Sequence, residues 1–125
     1  MSRMLKPALL IHMILSVILG VLLLVIPGRF LGWLGWAPID PIISRVLGAA
    51  LLALSWGDLR VWRRSTKAEA RLFVEVQLGF AVLAAIGVLR HLVVGGQWLA
   101  IVWVVFGGFG LFALIWLGVL VGERQ

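Results

Sequence analysis

Four long apolar segments alternate with short polar ones along the chain. They are residues 7–26, 42–62, 72–94 and 98–121. A helix needs about 20 apolar residues to cross about 30 Å of hydrocarbon, and each segment reaches that length. Because backbone amides inside a bilayer must be bonded within their own segment, the pattern predicts four transmembrane helices. The expected fold is all-α, an integral membrane four-helix bundle forming a single transmembrane domain over residues 1–125.

The beginning of the chain has the outline of a secretory signal peptide, since Arg3 and Lys6 precede the first apolar segment. The apolar region of a signal peptide has roughly 7 to 15 residues and ends at a cleavage site of small residues. Here the apolar segment is longer and ends in Pro27-Gly28. We therefore expect an uncleaved helix that Pro27 and Gly28 terminate.

Residues 28–41 combine aromatic side chains with helix-breaking glycines and prolines. Trp33 and Trp36 are typical of the headgroup layer, where the body of the indole meets lipid and its N–H meets water. The pattern favours a surface loop with an aromatic belt over a lid that gates a ligand.

The most polar stretch is residues 60–71, between the second and third apolar segments. It carries five basic residues: Arg60, Arg63, Arg64, Lys67 and Arg71. By the positive-inside rule this loop is cytoplasmic, so the N-terminus and the C-terminus are cytoplasmic too. Eight of the eleven basic residues then lie inside. These five side chains are expected to contact anionic lipid headgroups.

Composition supports a membrane protein, since 63% of residues are hydrophobic and 13% are charged. Soluble domains carry about 25% charged residues. The net charge of +6 lies beside apolar spans, which favours lipid headgroups over nucleic acid as its counterpart. Because the chain has no cysteine, thiolate metal sites and cysteine nucleophiles are excluded.

Three ionisable residues lie at a similar depth on the inner side of the predicted spans. At 1.5 Å per residue, His12 is ~9 Å inward from Lys6, and Asp58 and Glu75 are each ~6 Å from their helix ends. Ionisable groups at membrane depth are costly, so each one requires an explanation. If the first three helices are neighbours, the three residues form a polar cluster with Ser16, Ser55 and Gln77.

Each member also has a purely structural explanation. Glu75 has Arg71 four residues earlier, which indicates a helix-surface ion pair. Asp58 lies one turn from the interface, within reach of water, and His12 alone is typical of hydrogen-bonded helix packing.

Enzymatic chemistry has no support in the sequence. No His/Asp/Glu spacing resembles a metal site, and neither a serine nucleophile elbow nor a phosphate-binding loop is present. His12 and His91 belong to opposite leaflets, so one haem iron cannot bind both. A haem or chlorin held by a single axial histidine is left open, and no other cofactor is indicated.

Small residues predict where helices approach one another. In the second helix Ala49, Ala53 and Gly57 form a stripe that we expect to face the interior of the bundle. In the fourth helix we expect Gly107 and Gly108 to be packing residues. Gly118-x-x-x-Gly122 is a further close-approach motif, and Trp98 and Trp116 are expected near opposite interfaces.

The stretch from Arg45 to Leu54, RVLGAALLAL, together with Pro27-Gly28 and the plan of four spans, resembles small bacterial DoxX-like membrane proteins. The resemblance implies a four-helix bundle in a bacterial inner membrane, and it implies no activity.

The sequence favours a non-enzymatic accessory or assembly subunit of a larger membrane complex. The alternative is a homo-oligomeric small transporter, or a lipid- or quinone-binding protein, that works through His12, Asp58 and Glu75. The expected partners are anionic lipid and either another membrane protein or a second copy of the chain.

Overall fold

The structure of the protein is a computed structural model that describes residues 3–36, 40–94 and 100–123. The described residues form helices and no strand, and four of the helices are long and apolar enough to cross a membrane. The predicted all-α class with four membrane-spanning helices is confirmed, and the chain is a multi-pass membrane protein. The helices are α1 (Leu5–Val25), α2 (Pro27–Trp33), α3 (Pro41–Arg63), α4 (Lys67–Val94) and α5 (Ala100–Glu123).

The chain divides into two compact units. The first unit contains residues 6–65, and the second unit contains residues 1–5 and 66–125. In the second unit α4 and α5 pack against each other. Phe80 of α4 meets Phe109 of α5 edge to face, with ring centroids 5.7 Å apart, a favoured geometry for aromatic pairs.

The segment predicted as a surface loop begins instead with the short helix α2. Pro27 occupies its first turn, where the missing N–H of proline would have no helical partner anyway. Pro27 therefore starts α2 as well as ending α1. Gly32 inside α2 lowers the stability of that helix by only about 1 kcal/mol, which is too little to break it. Gly35 adopts a positive φ of 75° after the helix, a conformation that glycine reaches without steric cost.

Asp40 sets the start of α3. Its carboxylate accepts hydrogen bonds from the backbone N–H groups of Ile42 at 2.9 Å and Ile43 at 3.2 Å. This is an N-cap, which satisfies amides that have no partner inside the helix. The next residue, Pro41, occupies the position that tolerates proline best.

The basic stretch at residues 60–71, which was predicted as a loop, is helical except at residues 64–66. α3 continues to Arg63 and α4 begins at Lys67, which leaves a three-residue turn. The backbone N–H of Thr66 donates to Glu69 Oε2 at 2.9 Å, and the backbone N–H of Glu69 donates to Thr66 Oγ1 at 3.2 Å. This reciprocal capping box starts α4 five residues earlier than apolar periodicity alone predicts.

In the first unit α1 and α3 approach closely at two glycines. A Cβ atom added to Gly48 would lie 2.7 Å from the carbonyl oxygen of Gly20, and one added to Gly20 would lie 3.0 Å from the carbonyl oxygen of Gly48. Both obstacles are backbone atoms, so a side chain at either position forces the helices apart. Gly20 and Gly48 therefore form the close helix crossing of this unit.

The small-residue stripe predicted to face the interior lies elsewhere. Ala49 and Ala53 are exposed, and Gly57 is half-buried. The buried face of α3 has polar as well as small members, namely Gly48, Leu51, Ser55 and Asp58. The prediction was wrong because it ranked positions by size alone, whereas burial of a carboxylate decides which side of the helix faces inward.

Three expectations for α5 also need correction. Trp116 has no exposed surface and stacks on Phe112, with centroids 6.3 Å apart, so it is a core residue and not an interfacial anchor. A Cβ atom at Gly118 would meet only the side chain of Met4, at 3.5 Å, which is ordinary contact and not a close helix crossing. At Gly107 and Gly108 an added Cβ atom would meet nothing within 4 Å. Trp98, residues 95–97 and Arg124 lie outside the described residues.

The glycine crossing predicts that Gly48→Ala destabilises the protein. The added methyl meets backbone atoms that cannot rotate away, so we expect the free energy of unfolding to fall by about 1–3 kcal/mol. Unfolding in detergent micelles, followed by circular dichroism, measures the loss. Gly79→Ala in α4 is the control, because an added Cβ atom there meets nothing within 4 Å. Equal destabilisation by both substitutions would contradict the crossing.

Candidate functional site

A histidine and an aspartate from different helices meet inside the first unit. His12 Nδ1 of α1 lies 2.5 Å from Asp58 Oδ2 of α3. The whole Asp58 residue has no exposed surface, and His12 is 7% exposed. This is a hydrogen-bond contact between the ring nitrogen and the carboxyl oxygen. The two residues therefore form one buried, hydrogen-bonded pair, here called the His12–Asp58 pair.

The helix geometry explains why these two residues meet. On α1, His12 and Gly20 are eight residues apart and share a face, and on α3 Gly48 and Asp58 share the buried face. The contacts run in opposite directions along the two helices, as an antiparallel pair requires. The glycine crossing and the His12–Asp58 pair lie ~12 to 15 Å apart at 1.5 Å per residue. One seam between α1 and α3 therefore contains both contacts.

The two serines of the expected cluster have local roles. Ser55 Oγ donates to the backbone carbonyl of Leu52 at 2.7 Å, which is a bond within its own helix. Ser16 Oγ lies 3.4 Å from both ring nitrogens of His12. A serine activated by histidine lies on the axis of one nitrogen, at about 2.6–3.2 Å. Ser16 stands beside the ring instead, so the Ser16, His12 and Asp58 grouping lacks the geometry of a nucleophilic triad.

Glu75 belongs to the other unit and has its own partner. Its Oε1 lies 3.1 Å from Arg71 Nε, and both side chains are 49% exposed. This salt bridge joins residues four apart on one helix. It is the structural explanation of Glu75 that the sequence predicts. Gln77, on the same helix, is 1% exposed. Of the three residues named for the polar cluster, the structure brings His12 and Asp58 together and gives Glu75 a salt bridge with Arg71.

The burial of the His12 side chain disfavours a haem at this pair. Asp58 uses the Nδ1 side of the imidazole, so a haem would have to approach Nε2. Because only 9% of the His12 side chain is exposed, the ring has no room beside it for a porphyrin plane. His91 is exposed in the last turn of α4. Over the described residues, no group of three or more His, Cys, Asp and Glu side chains is placed to hold a metal ion.

Each of the five basic residues expected to contact lipid is exposed. Arg60 and Arg63 lie in the last turn of α3, and Arg64 is its C-cap. Lys67 and Arg71 lie in the first turns of α4. The sequence reasoning missed Trp56, which is 64% exposed on α3 one turn before Arg60. The sequence could have predicted this, because the spacing of Trp56, Arg60 and Arg63 places them on one side of a helix.

No protein-family model, no curated protein and no solved structure matches this chain. The resemblance to DoxX-like proteins therefore stays a prediction, and the function has to be argued from the geometry.

The geometry predicts strong coupling between His12 and Asp58. His12→Leu or Asp58→Leu alone removes one member of a buried pair, and we expect each to lower the free energy of unfolding by about 3–5 kcal/mol. The double variant should lose less than the sum, with a coupling energy of about 0.5–3 kcal/mol. Unfolding titrations of the four proteins in micelles give this double-mutant cycle.

The matched control is the exposed pair of Arg71 and Glu75. Because both side chains are half-exposed, their coupling should stay below about 1 kcal/mol. Additive losses at His12 and Asp58, or a coupling no larger than that of the exposed pair, would contradict the assignment.

Proposed function

We propose that this protein is a non-enzymatic accessory or assembly subunit of a larger membrane complex. The observation that carries the proposal is the exposed glycine pair of α5, Gly107 and Gly108. Both lie near the middle of the span, and a Cβ atom added at either would meet nothing within 4 Å. They form a shallow depression on a helix that contains no ionisable residue from Ala100 to Gly122.

A glycine in mid-helix carries a cost, since it is about 1 kcal/mol less favourable than alanine in a helix interior. In membranes glycine stabilises a protein where it allows another backbone to approach, because no hydrophobic effect drives helices together in lipid. Gly20 and Gly48 serve that purpose inside this chain. Gly107 and Gly108 have no such neighbour among the described residues, a property that they share with Gly79, Gly87 and Gly110. As an adjacent pair on a span without ionisable residues, they would fit a helix of another chain.

The His12–Asp58 pair supports the same proposal. Its two members bind each other across two helices of one chain, which is the arrangement of a residue pair that fixes helix packing. A buried polar contact of this kind sets which faces meet and in which register. Asp58 is the most buried ionisable residue in the described part of the chain. Its contact with His12 explains its burial without a bound substrate.

The proposed location is a bacterial inner membrane, with both termini and the basic segment in the cytoplasm. The excess of basic residues near the end of α3 and the start of α4 supports this orientation through the positive-inside rule. The DoxX-like resemblance of residues 45–54 supports a bacterial source.

The alternative function is a homo-oligomeric small transporter, or a lipid- or quinone-binding protein. It is favoured by the burial of two ionisable side chains, His12 and Asp58, in membrane-spanning helices, since intramembrane ionisable residues mark proton and substrate pathways. Asp58→Asn separates the two functions. The amide keeps the shape and can still hydrogen-bond to His12, so a subunit should assemble normally, whereas a proton-coupled carrier should lose transport.

A small-to-large substitution on α5 tests the subunit proposal. Gly107→Leu fills the depression, and we expect it to lower the yield of co-purified membrane protein by about tenfold, the effect of losing about 1.4 kcal/mol of contact. The readout is quantitative mass spectrometry of material extracted gently from native membranes.

Ala53→Leu is the matched control, because it makes a similar exposed change on α3 in the other unit. It should leave the co-purified protein unchanged. Loss of the partner with both variants, or with neither, would contradict an interface at Gly107 and Gly108.

A further inference from the structure

One face of α3 combines an aromatic side chain with two cations. Trp56, Arg60 and Arg63 follow one another at intervals of four and three residues, so they lie along one side of the helix. That side is opposite the buried face, which contains Ser55 and Asp58. Trp56 is 64% exposed, and both arginines are exposed. We call these three residues the Trp56 face.

The arginines of this face are not neutralised by the acidic side chains that the structure describes. Asp58 binds His12, and Glu75 binds Arg71. Asp40 caps the opposite end of α3. Glu69 accepts the backbone N–H of Thr66 in the capping box at the start of α4. Each of these four carboxylates is thus engaged elsewhere, and the side chain of the fifth acidic residue, Glu123, lies outside what the structure describes. Among the described side chains, two guanidinium groups remain to bind an external anion.

The position of the tryptophan indicates which anion. Trp56 lies ~6 Å along the helix from Arg60 and ~10 Å from Arg63, on the side toward the middle of the span. This order matches one lipid molecule, since an indole prefers the boundary between acyl chain and headgroup and the phosphate lies farther out. A soluble anion has no apolar part to pack against Trp56, so the indole would not strengthen its binding.

We infer that the Trp56 face binds the headgroup of an anionic phospholipid. The guanidinium groups of Arg60 and Arg63 donate to the oxygens of the phosphodiester, a geometry that arginine suits better than lysine because its donors form a planar fork. The indole of Trp56 packs against the glycerol backbone and the upper acyl chain. The inference is independent of whether α5 binds a partner.

The test uses the full-length protein and two lipids of equal chain length, phosphatidylglycerol and phosphatidylcholine. Native mass spectrometry of the protein titrated with each lipid gives two apparent dissociation constants and hence a preference ratio. The wild type should prefer phosphatidylglycerol. In the Arg60→Gln, Arg63→Gln double variant the ratio should fall by about thirtyfold, because each cation near an anionic lipid contributes about 1 kcal/mol.

Two further variants make the result specific. Arg45→Gln removes an exposed cation at the other end of the same helix, and the ratio should stay within about twofold, since a charge more than ~20 Å away is screened. Trp56→Leu keeps both cations and should weaken the binding of both lipids while preserving the ratio.

Three outcomes would overturn the inference. The first is a wild type with no preference for phosphatidylglycerol, and the second is an Arg45→Gln variant that loses as much preference as the double variant. The third comes from a photo-crosslinking amino acid at position 56 in native membranes. Attachment to a polypeptide, in place of a phospholipid, would show that this face binds another protein.

Discussion

A carboxyl group without exposed surface inside a membrane-spanning helix needs a partner from a second helix, and the first unit depends on this constraint. Asp58 meets His12 at 2.5 Å, and the seam that joins them continues to the contact of Gly20 with Gly48. Polar groups find few alternatives in hydrocarbon, so the pair selects which faces of α1 and α3 meet. The glycines then allow the backbones to approach closely. The polar pair thus determines the register of α1 against α3, and the two glycines allow the helices to pack in that register.

The same constraint determines what the rest of the surface can do. Because the buried face of α3 contains Ser55 and Asp58, the opposite face presents Trp56, Arg60 and Arg63 to the surroundings. In the other unit, α4 and α5 pack through larger side chains such as Phe80 and Phe109. Glycines on both α4 and α5 are left with open space, in contrast with Gly20 and Gly48 of the first unit. The adjacent pair on α5, Gly107 and Gly108, is the basis for the proposed partner.

Hydropathy predicted the four spans, and helix rise predicted that His12 and Asp58 lie at one depth, because both follow from local properties of the chain. Spacing also predicted the Arg71 and Glu75 salt bridge. Apolar periodicity missed the capping box of Thr66 and Glu69, since capping residues are polar. The interior stripe of Ala49 and Ala53 was wrong because small size permits a helix contact without requiring one. Which side of α3 is buried depends on a residue of α1, and no local pattern contains that information.

The proposed subunit function requires this protein to contact other polypeptides in a larger membrane complex. Native mass spectrometry of the protein, extracted gently from its own membranes, tests it most directly, since one spectrum reports chains, copy number and retained small molecules. We expect a mass that exceeds the 13.7 kDa chain by one or more different polypeptides. A monomer, or a simple multiple of the chain that retains a small molecule, would contradict the subunit function and favour the carrier that works through His12 and Asp58.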